Sequence, residues 1–156
     1  MSVKTLLFLY KPSEKQILLA MKKRGFGEGK WNGVGGKVEV GESIEEAVAR
    51  EALEEIGVVV DPELLKKKGI IHFSFEDKPE FTQDVHVYFA TQWEEEPVES
   101  EEMRPEWYHI DEIPYSSMWI DDQYWLPMVL DGDTVTAQFH FNNAGTEVLD
   151  MEINKD

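Results

Sequence analysis

Short apolar runs divide the chain into predicted strands. Residues 5–10 are almost continuously apolar, which is typical of a buried strand. Residues 16–23 predict a second strand, and the polar turn residues between the two runs indicate a hairpin. Polar and apolar side chains alternate in two later segments, which predicts half-buried strands at residues 64–75 and 84–93. Shorter strands are predicted at residues 107–110, 134–141 and 147–153, the last two as a hairpin.

One segment has the spacing of an amphipathic helix. Ser43 is a good N-cap, and Glu46, three residues later, completes a capping box. Gly57 predicts a left-handed residue just after the last turn. At about 100° per residue, one face of residues 44–56 is apolar and includes Leu53, so we expect this face to pack on a core.

A second helix is predicted late in the chain, from residue 121 to about residue 130. Asp121 is a candidate N-cap, and Gly132 ends the segment. Strands before and after one strong helix, followed by a second helix, indicate an α+β fold. Because the sequence has neither an internal repeat nor a low-complexity linker, we expect residues 1–156 to form a single domain.

Charge and composition restrict the class of partner. The formal net charge is −17, so the backbone of a nucleic acid polymer is not expected as the main partner. A small phosphate substrate remains compatible, because bound cations reverse the local field. The absence of cysteine excludes disulfides and thiol catalysis. The N-terminal apolar run is too short for a signal peptide or a membrane span, so we expect a cytoplasmic protein without a membrane partner. A monomer is the default expectation for this acidic chain.

The polar face of the first helix carries Glu51, Glu54 and Glu55. Like charges at this spacing destabilise a helix by roughly 0.2–0.5 kcal/mol per pair. The helix dipole adds to this cost, because the three side chains lie in its C-terminal half. A divalent cation explains such a cluster of hard oxygen ligands, and Mg²⁺ is favoured where phosphates are bound. From the helix alone, an exposed acidic face explains the cluster equally well.

Basic and glycine-rich residues precede this helix. Lys22, Lys23 and Arg24 form the densest positive charge in the chain, which suits either phosphate contact or a solvated strand end. Residues 25–36 are dense in glycine, which lets the backbone approach a ligand closely. A mobile linker is the alternative interpretation, but a position directly before the acidic helix favours a site.

The order and spacing of these residues resemble the Nudix box, the signature of hydrolases that cleave nucleoside diphosphates linked to another moiety. The matching positions are Gly36, Glu42, Arg50, Glu51, Glu54, Glu55, Gly57 and Val58. The resemblance implies the Nudix fold, in which a mixed β-sheet is sandwiched between α-helices. It also implies Mg²⁺ as the cofactor, with Mn²⁺ as a substitute.

Carried over position by position, the resemblance implies a metal site and a catalytic centre on the helix. The implied metal ligands are the carbonyl of Gly35 and the carboxylates of Glu51, Glu54, Glu55 and Glu102. Arg50 is expected to orient a catalytic carboxylate, and an i,i+4 ion pair with Glu54 is the alternative role. The general base is expected to be Glu54 or Glu55, with Glu102 as an added ligand or base.

Segments outside the box resemble the branch of the family that hydrolyses oxidised purine nucleoside triphosphates. The likeness runs over residues 5–130 and includes residues 21–27, 84–87 and 118–125. It weakens beyond residue 130. The implied partner is therefore a small purine nucleoside triphosphate.

This branch resemblance also implies a purine pocket. Asn32, Asp121 and Asp122 would bind the edge of the base, and Trp119 would stack on its ring. The other residues implied for substrate binding are Thr5, Lys22, Phe26, Phe73, Met103 and Trp125. The sequence departs from the branch at Ile120, which replaces a proline, and in the loop at residues 79–83, so the preferred modified purine stays open.

The adjacent aspartates have two interpretations. From the local sequence, Asp121 caps the second helix and Asp122 merely follows it. The flanking tryptophans and the wider resemblance favour a pocket instead. Two carboxylates side by side in an apolar pocket do not easily both ionise, so one is expected to keep its proton.

The hypothesis from sequence is a Mg²⁺-dependent hydrolase that converts oxidised purine nucleoside triphosphates to monophosphates and pyrophosphate. Such an enzyme removes damaged nucleotides from the nucleotide pool. A Nudix hydrolase of ADP-ribose or dinucleoside polyphosphates is one alternative. A non-catalytic nucleotide sensor is another, although such a protein need not keep a self-repelling cluster of glutamates.

Overall fold

A computed structural model describes residues 2–156 of the chain as a mixed sheet with helices on both faces. The strands are β1 (Ser2–Lys11), β2 (Gln16–Lys22), β3 (Trp31–Asn32), β4 (Lys66–Phe75), β5 (Gln83–Ala90), β6 (Met103–His109), β7 (Val135–Phe141) and β8 (Val148–Lys155). The α-helices are α1 (Ile44–Ile56) and α2 (Asp122–Leu130). Single 3₁₀ turns lie at Pro62–Leu64, Pro79–Phe81, Ile110–Glu112 and Tyr115–Ser117. Neither of these α-helices is long and apolar enough to cross a membrane.

The strands run in the order β3-β2-β1-β5-β4-β7-β8, and β6 pairs with the free side of β2. The pairs β1–β5 and β4–β7 are parallel, whereas β4–β5 and β7–β8 are antiparallel. The predicted mixed sheet is thereby present.

Strands β1 and β2 pair at only one end, where Tyr10 lies opposite Ile17. Beyond that point, the glycine-rich segment before α1 lies beside β1 and pairs with it. The amide of Thr5 donates to the carbonyl of Gly36 at 2.9 Å, and the amide of Leu7 donates to the carbonyl of Val34 at 2.6 Å. This segment is therefore part of the sheet rather than a mobile linker, and its position brings Gly35 against α1.

Each face of the sheet has its own core. On one face, α1 buries Val48, Ala52 and Ile56 against strand residues such as Leu7. On the other face, α2 buries Trp125 and its neighbours, together with aromatic side chains of β4 and β7. Alternation along each strand sends successive side chains to opposite cores.

Helix α1 begins and ends where its capping residues predict. The Ser43 hydroxyl accepts from the amide of Glu46, and the Glu46 side chain accepts from the amide of Ser43. Gly57 adopts φ 71°, a left-handed conformation that glycine adopts without strain. Caps of this kind stabilise a helix by about 1 kcal/mol.

Strand β1 begins three residues before the predicted start, and β5 ends three residues before the predicted end. Three further differences have a physical cause. Leu53 is 56% exposed, because the apolar arc of α1 is narrower than its composition indicates. Asp121 precedes α2 but makes no capping hydrogen bond, since its carboxyl is turned toward Trp125 instead. Strand β6 begins at Met103, four residues earlier than predicted, because its polar residues pair with β2 along the edge of the sheet.

Candidate functional site

A cavity of about 450 Å³ lies on the α2 side of the sheet and opens toward the glycine-rich segment. All ten side chains predicted for substrate binding line it, although they come from distant parts of the chain. They are Thr5, Lys22, Phe26, Asn32, Phe73, Met103, Trp119, Asp121, Asp122 and Trp125. Lys4, Lys37 and Gln83 also line the cavity and were not predicted from the sequence.

Asp121 and Asp122 lie side by side in the cavity wall, and each is only 2% exposed. Burial raises the pKa of both carboxyl groups. The pKa of Asp122 is raised further by the charge of Asp121 and by the hydrogen bond between the two groups. Because burial raises the pKa of both carboxyl groups and their charges repel each other, the pair favours a state that holds one shared proton.

One carboxyl oxygen of this pair lacks a hydrogen-bond partner. The indole Nε1 of Trp125 donates to Oδ2 of Asp121 at 2.8 Å. Oδ2 of Asp122 is buried and has no hydrogen-bond partner among residues 2–156. A buried polar atom without a partner costs about 1–3 kcal/mol, so its presence in a cavity wall indicates a ligand that satisfies it.

Asn32 faces the same cavity from the short strand β3. Its Oδ1 accepts a hydrogen bond from the amide of Gly33 at 2.9 Å. This bond fixes the orientation of the side chain and leaves the amide group of Asn32 as a donor. Together, Asn32 and the aspartate pair can offer both donors and acceptors to a planar ligand.

Aromatic rings close the outer side of the cavity. The rings of Phe26 and Trp119 lie 5.2 Å apart with an interplanar angle of 33°. Gly27 lies against the Trp119 ring with φ +89°, a left-handed conformation that favours glycine. Phe26 is 71% exposed, which is unusual for so large an apolar side chain and suits a residue that covers a ligand.

The inner wall of the cavity is rigid. Phe73 stacks on Phe141, with ring centroids 5.6 Å apart, and Trp125 is almost fully buried against Phe8. Aromatic and aliphatic walls with a few fixed polar groups are typical of sites for small planar ligands.

Arg50 organises the acidic face of α1. Its guanidinium donates to both oxygens of Glu42, at 3.1 and 2.8 Å, and to Glu51 and Glu54 at 2.9 and 3.2 Å. These hydrogen bonds raise the pKa of Arg50 above its usual range, with the bond to Glu42 as the main cause. Both predicted arrangements of Arg50 are present, since it orients the carboxylate of Glu51 and also forms the i,i+4 pair with Glu54.

Glu51 and Glu55 face the glycine-rich segment. The amide of Gly35 donates to Oε2 of Glu55 at 3.0 Å. A Cβ at Gly36 would lie 2.5 Å from Oε1 of Glu51, so only glycine leaves room for that carboxylate. Burial, together with the charge of Glu51, raises the pKa of Glu55 to about 8. The cationic side chains of the protein therefore do not balance the negative charge of Glu51 and Glu55.

Glu54 and Glu102 lie at the edge of this cluster and are more exposed. Glu54 is held by Arg50, and Oε1 of Glu102 lies 3.4 Å from Arg24. The charge of Glu102 still contributes to the raised pKa of Glu51 and Glu55. As the side chains stand, no three Asp, Glu or His residues in the described part of the chain converge to hold a metal ion.

The donor set nevertheless fits a divalent cation. It consists of carboxylate oxygens, which are hard ligands, and their charges are under-compensated by the protein. The sequence placed Glu42 in the box but did not predict that it holds the guanidinium of Arg50.

The chain is similar to known proteins over most of its length. The family model described as NUDIX domain matches residues 3–129. An oxidized purine nucleoside triphosphate hydrolase of Danio rerio is 50% identical over 137 residues, which cover 88% of this chain and 85% of the relative. A protein of the same name from Mus musculus is 46% identical over 142 residues, which cover 91% and 88% of the two chains.

The structural comparison agrees with the sequence comparison. The crystal structure of a MutT protein from Bacillus halodurans superposes with a TM-score of 0.85 and is 30% identical. The superposition covers 99% of this chain and 98% of that protein. The fold of that protein is thus shared over almost the whole length of this chain.

Proposed function

The chain belongs to the Nudix hydrolase family, and on that premise we propose that it hydrolyses oxidised purine nucleoside triphosphates to monophosphates and pyrophosphate. Such a reaction removes damaged nucleotides from the pool used for nucleic acid synthesis. The observation that carries the assignment to a purine substrate is the buried Asp121–Asp122 pair in the cavity wall, with one carboxyl oxygen left for a ligand.

The pair suits the edge of an oxidised purine. A carboxyl that holds a proton donates a hydrogen bond, and its ionised neighbour accepts one. Oxidation of a purine changes donors into acceptors, or the reverse, along the base edge, so a pair that shares a proton discriminates between the normal and the oxidised base. Asn32 adds a donor from strand β3, and Trp119 offers a face for stacking.

Divalent metal ions are general in this family, and we propose Mg²⁺ for this chain. When bound, such ions neutralise the phosphates and lower the pKa of water. Carboxylate oxygens of the acidic cluster would hold them, with the Gly35 carbonyl as a further ligand. These carboxylates are Glu51, Glu54, Glu55 and Glu102.

The remaining chemistry depends on the protein's own residues. Arg50 fixes the carboxylates of Glu51 and Glu54. We propose that Glu54 or Glu55 accepts a proton from the attacking water, and single Gln variants of each distinguish the two. Lys22, whose charge reaches Glu55, contacts a phosphate. The net charge of −17 supports a free nucleotide rather than a polymer as the substrate, and we propose a cytoplasmic monomer.

A substrate panel tests the proposal. Release of pyrophosphate and of phosphate is measured with Mg²⁺ for 8-oxo-dGTP, 2-hydroxy-dATP, N6-methyl-dATP, dGTP and ADP-ribose. We expect pyrophosphate from at least one modified purine triphosphate at a higher kcat/KM than from dGTP. Turnover of ADP-ribose alone, or of none of the modified purines, would contradict the proposal.

A further inference from the structure

Lys4 occupies an unexpected place for a charged residue. It lies in β1, two residues before Leu6 and on the same face of the strand, and it lines the cavity. It pairs with Val85 of β5 on one side, and on the other side its backbone forms an isolated β-bridge with Lys37. Half-burying an ammonium group between strands is costly unless an anion compensates it.

Three lysines converge at this end of the cavity. Burial lowers the pKa of Lys4, and the charges of Lys22 and Lys37 lower it further. Within residues 2–156, none of the three ammonium groups has a side-chain hydrogen bond or an ion pair. In contrast, Lys23 and Lys155 pair with carboxylates at 2.5 and 3.6 Å. Three cations without a hydrogen bond or an ion pair line one cavity in a chain of net charge −17, which indicates a site for an anion.

The position of the lysines identifies that anion. At one end they share a cavity with the Asp121–Asp122 pair. At the other end, the charge of Lys22 reaches Glu55 of the acidic cluster. A nucleotide whose base meets the aspartates and whose outer phosphates meet the acidic cluster must place its innermost phosphate between the two.

We propose that Lys4 binds the α-phosphate of the nucleotide, with Lys22 and Lys37 beside it. The inference rests on the proposed function, because it takes a purine nucleotide as the ligand. Since the α-phosphate is common to substrate and monophosphate product, Lys4 contributes to the binding of both. Its contribution does not depend on a metal ion.

The test measures binding without catalysis. Isothermal titration of the full chain in EDTA compares 8-oxo-dGMP with the nucleoside 8-oxo-deoxyguanosine. Lys4→Met should lower the affinity for the monophosphate at least about tenfold, the loss expected for a charge-assisted hydrogen bond. The affinity for the nucleoside should not change. Lys4→Arg should retain most of the affinity. Lys66→Met, which removes an exposed lysine of β4 and changes the net charge equally, should behave as the wild type.

Other outcomes would overturn the inference. If the wild type and Lys4→Met bind the monophosphate with equal affinity, Lys4 does not contact the phosphate. If Lys4→Met loses as much affinity for the nucleoside as for the monophosphate, Lys4 contacts the base instead. If Lys4→Met does not fold, Lys4→Gln replaces it. The dependence of wild-type affinity on NaCl gives a second readout, which the Lys4 variant should flatten. Failure of the proposed function is distinct, because the wild type would then bind neither ligand.

Discussion

Trp125 holds Asp121 in place: its indole Nε1 donates to Oδ2 of the aspartate at 2.8 Å, between two buried side chains. Four residues separate them, so they lie one turn apart at the start of α2. This bond turns the Asp121 carboxyl away from the helix amides and toward its neighbour Asp122. A residue that resembles a helix cap in sequence is thereby placed in a ligand cavity.

Trp125→Phe should loosen this arrangement. The variant removes the indole donor and keeps an aromatic ring, so we expect a loss of about 1–3 kcal/mol in the free energy of unfolding. Affinity for a modified nucleoside should fall in the same variant. Trp93→Phe is the control, because Trp93 stacks on Trp107 outside the cavity. Denaturant titration measures the change in stability, and nucleoside binding measures the change in affinity. Unchanged nucleoside affinity would show that the bond between Trp125 and Asp121 is not needed for base binding.

The shared proton gives stability a dependence on pH. The pKa values of both aspartates are raised in the folded protein, so the folded state binds more protons than the unfolded state above about pH 4. Stability contributed by these groups is therefore complete below the unfolded pKa and is lost as the pH rises through the folded pKa.

Asp122→Asn should remove much of this dependence, because the amide mimics the protonated acid. We expect the free energy of unfolding to decline less steeply with pH in this variant than in the wild type. Asp111→Asn, whose side chain is largely exposed, should keep the wild-type slope. Parallel curves for the wild type and Asp122→Asn would show that the pair does not hold a proton.

Sequence and structure agree best where the local pattern is redundant. The capping box predicts the start of α1, the terminal glycine predicts its end, and the helical spacing agrees with both. Strand β3 has two residues, too few for any periodicity, and its place is determined by pairing with β2. The insertion of the glycine-rich segment beside β1 is likewise a tertiary effect.

The composition of the cavity is likewise a tertiary effect that local sequence patterns do not predict. Asn32 and Asp122 were predicted to share a site only through resemblance, because no periodicity links residues so far apart in sequence. Lys4 gave no signal, since its neighbours form an ordinary buried strand and its role depends on Lys22 and Lys37 meeting it in space.

Arg50→Lys should reduce turnover more than nucleotide binding. Lysine keeps the charge but cannot donate to both oxygens of Glu42 while holding Glu51. We expect kcat to fall roughly ten- to hundredfold, as for misplaced catalytic groups, with little change in the metal-free affinity for the monophosphate. Glu42→Gln should reproduce the direction of this effect. Normal turnover in Glu42→Gln would mean that the Glu42–Arg50 contact does not orient the cluster.

The two box glycines should respond differently to alanine. At Gly36, a Cβ meets the flexible end of Glu51, so Gly36→Ala should fold nearly as well as the wild type and lose about tenfold or more in turnover. At Gly35, a Cβ would lie 1.9 Å from the backbone carbonyl of Thr5, so Gly35→Ala should lose stability as well. Thermal melts and initial rates distinguish the variants, and equal melting temperatures would contradict this account.

The central claim is that the Asp121–Asp122 pair selects the oxidised base while the acidic helix performs the phosphate chemistry. The most direct test is the ratio of kcat/KM for 8-oxo-dGTP to that for dGTP, measured with Mg²⁺ in the wild type and in Asp122→Ala, which removes both the donor and the acceptor of this carboxyl. We expect the wild type to favour 8-oxo-dGTP, and the variant to lose about tenfold or more of that preference at an unchanged Mg²⁺ requirement. An equal loss of activity toward both nucleotides, with the ratio preserved, would contradict a base-selecting role for the pair.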